Sequence, residues 1–498
     1  EFKPPLSEDI EVSMSGGGLS DWEPGEWTDD TAMAIAILEG LSRGESLADE
    51  DTQDRIVARW SEWALTANDV GIQTRNILSA IDEPTAQEAY AVAENHHLRT
   101  GMSAGNGSLM RTGPVALGSL DSELQTAKNA RAISKLTHWD DDAGDACVLW
   151  SLAIRHAILT GEIDIRKGLP FVSDPSQWEK LISEAESQSP SSFSKNGWVV
   201  HAFQAAYSAI NMAISAPESN FTFRAERLAY GIEQAVRAGF DTDTVAAIAG
   251  SLLGAGFGHT AIPSKWRLPL HGWPNLTENQ LARLAALALN GGEADPSGWP
   301  VAPHFDYSEW SASHEFAQHP LDEKLWIGGV DRVQSLPDEV SAVVSLCRMG
   351  TDDVPKTISK HLEVLLIDKS GSDENLNPTF TILQAAQAVQ KLREEGHTVY
   401  LHCVQAQSRT PSVAAAYSML LRTQSADDAL AFITKACEAA DYPAEIVARA
   451  TLANNKGGKY ISINVLEMVC VIVNYAAAIY ACWHDGIDLG HFPTILNW

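Results

Sequence analysis

Two stretches carry oxygen donors at the mouths of small-residue helices. Gly239-Phe240-Asp241-Thr242-Asp243-Thr244 runs into an Ala-, Val- and Gly-rich segment that ends near Gly256, so two carboxylates stand two residues apart beside a hydroxyl. Trp27-Thr28-Asp29-Asp30-Thr31 leads in the same way into Ala32-Met33-Ala34-Ile35. Hard oxygen ligands of this kind suit Mg²⁺, Mn²⁺ or Ca²⁺. The plainer reading is capping: Asp and Thr are good helix N-caps, and negative charge is favourable at a helix N-terminus. Two such mouths facing each other would supply Asp29, Asp30, Asp241 and Asp243 with the hydroxyls of Thr28 and Thr244. That donor set is enough for two divalent ions with waters completing the shells. Only the fold can bring the two stretches together.

A third stretch reads as a nucleophile with an anion cradle. His402-Cys403-Val404-Gln405-Ala406-Gln407-Ser408-Arg409-Thr410-Pro411 follows a β-rich run and precedes a helical pattern. The loop N–H groups, the helix N-terminus and the Arg409 guanidinium can together hold a phosphate. The same positive surroundings lower a thiol pKa, which makes Cys403 a thiolate nucleophile. The alternative is a buried structural Cys with an unrelated Arg. A general acid must protonate the leaving alcohol. Asp368, at the end of the preceding β-rich run, is the choice, with Asp373 and Glu374 as substitutes.

Two further loops bear polar residues before helices. Gly101 to Arg111 contains Gly105-Asn106-Gly107-Ser108, whose backbone N–H groups can face phosphate, although a tight turn is the simpler account. Thr137-His138-Trp139-Asp140-Asp141-Asp142 opens a long apolar pattern. Its three Asp could form another metal site but read better as a solvated helix start, and His138 reads as a substrate contact, with capping of the turn as the alternative.

Helical periodicity places these residues on helices at about 28–42, 52–66, 84–97, 143–160, 174–188, 198–215, 224–238, 244–256 and 277–290. Strand patterns are scarce before residue 295, so this half is expected to be all-α. Residues 294–320 are rich in Gly, Pro, Trp and His and read as a linker or lid. Beyond them, Leu325 to Gly329, Ala342 to Cys347, Val364 to Asp368 and Thr398 to His402 are short β-rich runs. Helical patterns at 379–395 and 410–422 lie among them, which implies a parallel-type sheet. The expected domains are 1–293, all-α, and 321–452, α/β, with a tail at 453–498 too short for its own core.

At 498 residues the chain has room for two or three domains. A 45% hydrophobic and 20% charged composition is ordinary for a globular protein. Thirty-five Lys and Arg against 65 Asp and Glu give a net charge of −30. That argues against an electrostatic grip on nucleic acid or an anionic membrane, not against anionic small molecules. The six cysteines show no CxxC spacing. Reduced thiols and a cytoplasmic location are therefore expected, and no signal peptide opens the sequence. The apolar run from Val465 to Trp483 is interrupted by Glu467 and Asn474 and reads as buried structure, not as a membrane span.

Residues 1 to about 290 resemble the ADP-ribosylglycohydrolase (dinitrogenase-reductase-activating glycohydrolase) family. The matching pieces are Trp27 to Met33, Gly105 to Arg111, Thr137-His138 and Ala238 to Thr244, with Gly250, Gly254, Gly258, Pro263 and Trp266. The resemblance implies an all-α fold with two Mg²⁺ or Mn²⁺ held by Thr28, Asp29, Asp30, Asp241, Asp243 and Thr244. It implies Gly105, Asn106, Gly107 and Ser108 against a diphosphate, His138 near the ligand, and hydrolysis at the anomeric carbon of the distal ribose. Glu1 matches the position of a catalytic or gating glutamate, and the helix and Gly-Asp-Ala-like turn that precede it in the family are absent from this sequence. Residues 320–425 resemble the dual-specificity and tyrosine phosphatases through His402, Cys403, Arg409 and Thr410 with the upstream Asp368. That implies a phosphocysteine on Cys403, phosphate held by Arg409 and the loop that includes Ser408, Asp368 as acid, and Thr410 assisting hydrolysis. Ala406 stands where that loop usually has Gly. The tail from Ile461 faintly resembles a ribonuclease H-like fragment of retroelements.

The sequence therefore predicts a multidomain protein, an all-α bundle followed by an α/β cysteine-phosphatase-like domain. The expected function is bifunctional: metal-dependent release of ADP-ribose from a modified protein or small molecule, and dephosphorylation of a phosphorylated protein or nucleotide. The alternative is an ADP-ribose-binding module without turnover, joined to a degenerate phosphatase domain that docks phosphorylated partners.

Overall fold

The computed structural model describes residues 2–3, 5–6, 12, 14, 16–17, 21–310, 317–368 and 375–422. Glu1, Asp373, Glu374 and everything expected of the tail lie outside the described residues. The first half is a helical bundle: α1 Asp29–Leu41, α2 Glu50–Ala64, α3 Ile72–Leu78, α4 Ala86–Thr100, α5 Glu123–Lys135, α6 Asp141–Thr160, α7 Pro175–Ser187, α8 Val199–Ser215, α9 Glu226–Arg237, α10 Thr242–Phe257, α11 Ser264–Arg267 and α12 Glu278–Leu289. Two small antiparallel pairs accompany it, β1 Phe2–Lys3 with β2 Phe240–Asp241 and β3 His271–Gly272 with β4 Leu276–Thr277. The all-α expectation holds apart from these two-residue strands.

Helices α1 and α10 are apolar on nearly every side and are buried accordingly, as a helix without a polar face must be. Indole donors tie their neighbours to them. Trp60 Nε1 of α2 donates to Met33 O of α1 at 2.8 Å, and Trp150 Nε1 of α6 donates to Ile248 O of α10 at 3.0 Å. The three Asp at the start of α6 do form a helix start: Asp140 is the N-cap and accepts from Asp142 N, and Asp141 and Asp142 open the first turn.

The second half is an α/β unit of β5 Ala317–His319, β6 Asp322–Gly329, β7 Val340–Ser345, β8 Lys360–Glu363, α13 Pro378–Glu394, β9 Thr398–Cys403 and α14 Arg409–Leu421. Its sheet runs β5-β6-β9-β7-β8, and all pairs are parallel except β5 with β6. Every residue of the central strand β9 is buried, as in a parallel sheet covered on both faces. Cys403 ends that strand, at the carboxyl edge where such sheets bind ligands.

One strand differs from the sequence reading. Residues 364–368 are not a strand, and β8 ends at Glu363. After Val364 N bonds to Ser345 O, side chains take over the backbone groups. Arg409 Nη1 donates to Leu366 O at 3.0 Å, and the Asn375 amide pairs with both Ile367 N and Ile367 O. A β-rich composition cannot reveal that its partners are side chains. Within the segment read as a linker, β5 adds an antiparallel strand to the sheet.

The two units share a polar junction. Asn279 of α12 lies along the edge of β8, donating to His361 O at 2.9 Å and accepting from Glu363 N at 3.2 Å, which covers the edge backbone. Arg267 forks onto Glu278 at 2.8 and 3.0 Å and also reaches Glu363 O at 2.8 Å. Arg283 pairs with Glu363 and donates to Met349 O and Pro300 O at 2.7 Å each. Burial alone would raise the Glu278 carboxyl, but Arg267 and then His259 more than offset it and hold it at about 2. Phe380 of α13 joins the first core and meets Phe223 edge-on at 5.6 Å between centroids. Among the described residues, no helix is long and apolar enough to cross a membrane, and Cys147, Cys347 and Cys403 are free and buried.

Truncating Glu278 to Ala leaves the Arg267 charge buried without its partner. The expected cost is about 3–5 kcal/mol, read as a lowered denaturation midpoint in urea. Because the folded carboxyl is depressed, its stabilisation is complete above the ordinary value of 4.5 and is lost as pH falls towards about 2. A midpoint unchanged by the substitution at neutral pH would contradict this account of the junction.

Candidate functional sites

The N-termini of α1 and α10 approach each other. Thr28, the N-cap of α1, donates from Oγ1 to Asp30 Oδ2 at 2.7 Å and caps no backbone N–H with its side chain. Burial first, then Asp243, Asp69 and Asp241, push the Asp29 carboxyl up to about 7. Asp30 is raised well above the usual range by burial, then by Asp29 and Asp243. Asp241 reaches about 6 through burial and then Asp243. The fold thus gathers Asp29, Asp30, Asp241 and Asp243 into one neighbourhood, with Asp69 as a fifth carboxylate that the sequence reading missed.

This donor set fits a hard divalent cation. Asp30 Oδ1 is buried and accepts no hydrogen bond, an arrangement that costs free energy unless a cation or proton completes it. Among the described residues, no three carboxylate, imidazole or thiolate side chains are already drawn together as a closed ligand shell. The match lies in the chemistry of the donors and in their repulsion, and hydroxyls and waters must supply part of any shell. Thr244 is buried beside them, on the first turn of α10.

The turn that presents Asp241 is held from behind. Gly239 and Phe240 both have positive φ, at 82° and 62°. Asn196 clamps this turn, donating to Gly239 O at 2.9 Å and accepting from Asp241 N at 3.1 Å. Asn106 donates to Asp241 Oδ2 at 2.7 Å and to Asn196 O at 2.8 Å. The Asn106 side chain therefore serves the carboxylate. Asn196 lies in a Lys-Asn-Gly sequence without a local signature, so only the fold reveals it.

Gly105 to Ser108 form a tight turn that leaves Gly105, Asn106 and Gly107 part-exposed. His138 lies directly behind it. A Cβ on Gly105 would stand 3.2 Å from His138 Nε2, and one on Gly107 would stand 3.0 Å from Cε1, so a side chain at either place would press on the imidazole. His138 is buried, its Nδ1 is 2.7 Å from Thr137 Oγ1, and burial followed by Arg111 pulls its pKa well below the ordinary value. It is a neutral imidazole that supports the turn. Ser108 is buried too, and accepts from the Cys147 thiol at 3.6 Å. Beneath these residues Arg111 is fully buried, 4.0 Å over the Trp60 ring and 2.7 Å from Thr137 Oγ1.

The second site surrounds residues 403–410. Cys403 and Arg409 are both buried, at the end of β9 and the start of α14. Arg409 Nη1 donates to Leu346 O at 2.8 Å and Leu366 O at 3.0 Å, and its Nε lies 3.4 Å from Asp368 Oδ2. Ser408 Oγ and Thr410 Oγ1 are buried without a hydrogen bond, and Arg409 Nε has only the ion pair with Asp368, which gathers weakly used donors at one loop. Ala406 has φ 55°, the left-handed conformation that favours glycine. His402 contacts Ser345 Oγ at 2.7 Å, and Ser345 Oγ contacts His361 at 2.9 Å. Burial holds both imidazoles neutral, His402 at about 4 and His361 at about 3. The segment before the sheet closes one side of the loop: Gln405 Nε2 donates to Trp310 O at 2.5 Å, and Tyr307 OH donates to Arg348 O at 2.8 Å.

The first site has relatives among known proteins. The family model for ADP-ribosylglycohydrolase matches residues 2–295. The chain is similar to ADP-ribosylarginine hydrolase Tri1 of Pseudomonas putida (strain GB-1), at 30% identity over 274 residues that cover 53% of this chain and 68% of that protein. It is also similar to human ADP-ribosylhydrolase ARH3, at 25% identity over 281 residues that cover 50% of this chain and 75% of that protein. Among solved structures, human DUSP28 aligns with a TM-score of 0.25 at 17% identity, covering 28% of this chain and 94% of its own.

The raised carboxyls make a signed prediction. Folded Asp29 keeps a proton between the ordinary 3.8 and about 7, where the unfolded chain has released it, so stability falls as pH rises through that window. In chelator, the thermal midpoint should decline across the window, less so in Asp29→Asn, and added Mg²⁺ should restore it. A midpoint insensitive to both Mg²⁺ and the substitution would remove the cluster as a cation site.

Proposed function

The chain belongs to the ADP-ribosylglycohydrolase family across residues 2–295, and on that premise we propose that it hydrolyses the N- or O-glycosidic bond of an ADP-ribosylated protein or small molecule, releasing ADP-ribose. The observation that carries this reading is the convergence of four buried or half-buried carboxylates at the N-terminal ends of α1 and α10, beside a glycine turn supported by His138. Thr28, Asp29, Asp30, Asp241, Asp243 and Thr244 would hold two Mg²⁺ or Mn²⁺. When bound, such ions orient the ribose hydroxyls and make water a better nucleophile at the anomeric carbon.

The chain's own residues would do the rest. Asn106 and Asn196 hold Asp241 in place. The part-exposed backbone of Gly105 to Gly107 faces the diphosphate, with His138 fixing its position from behind. Arg111 keeps a positive charge below the carboxylates. Glu1, outside the described residues, is assigned to catalysis by resemblance alone.

We further propose that residues 403–410 form a Cys-dependent phosphatase site acting on a phosphorylated protein or nucleotide. Its support is the buried hydroxyls of Ser408 and Thr410, which make no hydrogen bond, beside the buried Arg409 guanidinium. The Cys403 thiolate would attack phosphorus and displace the alcohol, which takes its proton from Asp368. Water would then cleave the S–P bond with its proton passing to Asp368, assisted by Thr410. The competing reading is binding without turnover at both sites; at the second site the strained backbone at Ala406 favours it.

Mass spectrometry of Ser- and Arg-ADP-ribosylated peptides tests the first site. Release of ADP-ribose in Mg²⁺, abolished by chelator and lowered about 100-fold or more by Asp241→Asn, is expected. Unchanged release by that variant would sink the metal assignment, and tight ADP-ribose binding with no product would favour the binding module. For the second site, turnover of an aryl phosphate should vanish in Cys403→Ser.

A further inference from the structure

The junction between the two halves reaches the residue proposed as the acid of the second site. Asn375 turns its amide onto Ile367, donating to Ile367 O at 3.0 Å and accepting from Ile367 N at 2.9 Å. Ile367 immediately precedes Asp368. Two residues beyond Asn375, the buried Asn377 donates from Nδ2 to Phe257 O, at the last residue of α10, at 3.1 Å. The same Nδ2 donates to Thr260 Oγ1 at 3.0 Å. Asn377 precedes α13 in the N-cap position, yet its side chain makes no capping hydrogen bond to its own helix. Its amide is spent on the first domain instead.

The preceding end of the segment is pinned the same way. Glu363, the last residue of β8, pairs with Arg283, bonds through its N–H to Asn279, and gives its carbonyl to Arg267. All three partners belong to the helical half. Beyond Glu363 and Val364 there is no strand ladder to hold residues 365–368. Their position depends on Arg409, on Asn375 and on these first-domain anchors. A general acid displaced by about 1 Å loses on the order of 100-fold in rate, so such anchors are felt in catalysis.

We infer that the first domain positions the general acid of the second site, with Asn377 and Thr260 as positioning residues that act on Asp368 through Asn375 and Ile367. The inference rests on the phosphatase reading of the Cys403 loop. It makes the helical domain part of the working second site, so that the two halves are not independent modules on one chain.

The test uses the full chain and two phosphate monoesters. One is an aryl phosphate whose phenolate leaves without a proton; the other is an alkyl phosphate whose alkoxide does not. Asn377→Asp removes the donor at nearly constant size, and Thr260→Val removes its acceptor from the other domain. Both should lower kcat for the alkyl ester about 10-fold or more, with KM and the aryl rate nearly unchanged. Neither should lower the alkyl rate further in an Asp368→Asn background, since residues acting through one group are not additive. Equal losses on both esters, no loss on either, or full additivity with Asp368→Asn would overturn the positioning role. If Asn377→Asp lowers the thermal midpoint strongly, the milder Thr260→Val decides between these outcomes. Turnover that is absent in the unmodified chain, or that persists in Cys403→Ser, would sink the phosphatase reading and this inference with it. Cys403-dependent turnover without the leaving-group split sinks the inference alone.

Discussion

The first site depends on holding like charges together away from water. Asp29, Asp30, Asp241 and Asp243 repel one another, and burial raises the cost of ionising the three whose pKa values shift. A fold tolerates such a group only where the surrounding structure over-determines it. Here the apolar helices α1 and α10 fix the backbone on both sides, while Asn196 and Asn106 lock the turn between them. The carboxylates are placed by elements whose own stability comes from packing, so the repulsion does not need to be relieved by local rearrangement.

The junction solves the opposite problem. Glu278, Arg267, Arg283 and Glu363 are also buried or nearly so, but each charge has a partner of opposite sign and further backbone contacts. The contrast shows in the carboxyls: repulsion adds to burial in raising Asp29, whereas attraction outweighs burial at Glu278. A buried paired network is costly to break from one side, which makes it suited to fixing one domain against another. It also explains why an edge strand of the sheet is safe from pairing with other chains, since Asn279 already occupies its free backbone groups.

Much of this was legible in sequence because the informative residues are local. The Thr/Asp clusters sit where small-residue helices begin, and Cys403 and Arg409 flank one loop between a strand and a helix. Spacing singled these out as candidates while leaving capping open for the Thr/Asp clusters, the family resemblance supplied their roles, and the helical and β-rich halves followed from periodicity. What stayed hidden is made by contacts distant in sequence. Asn196 is 45 residues from the Asp241 N–H that it accepts, and Asn377 is 120 residues from Phe257. The misread strand at 364–368 has the same origin, because its backbone partners are the side chains of Arg409 and Asn375. Composition reports what a segment prefers, not which side chains will claim its hydrogen bonds.

Backbone strain links the two sites. Among the described residues the non-glycine positions with positive φ are Asp21, Phe240, Asn275 and Ala406. Asp and Asn tolerate that conformation because their short polar side chains bond locally. Phe and Ala gain nothing from it, and each such residue costs on the order of 1–3 kcal/mol. Phe240 immediately precedes Asp241, and Ala406 lies at the middle of the loop between Cys403 and Arg409. In the first case the Asn196 clamp holds the strained turn. In the second the loop is tied to its surroundings by Gln405, which donates to Trp310 O, and by Val404 O, which accepts from Val330 N. Both strained turns lie within a candidate site and are held by hydrogen bonds from residues distant in sequence.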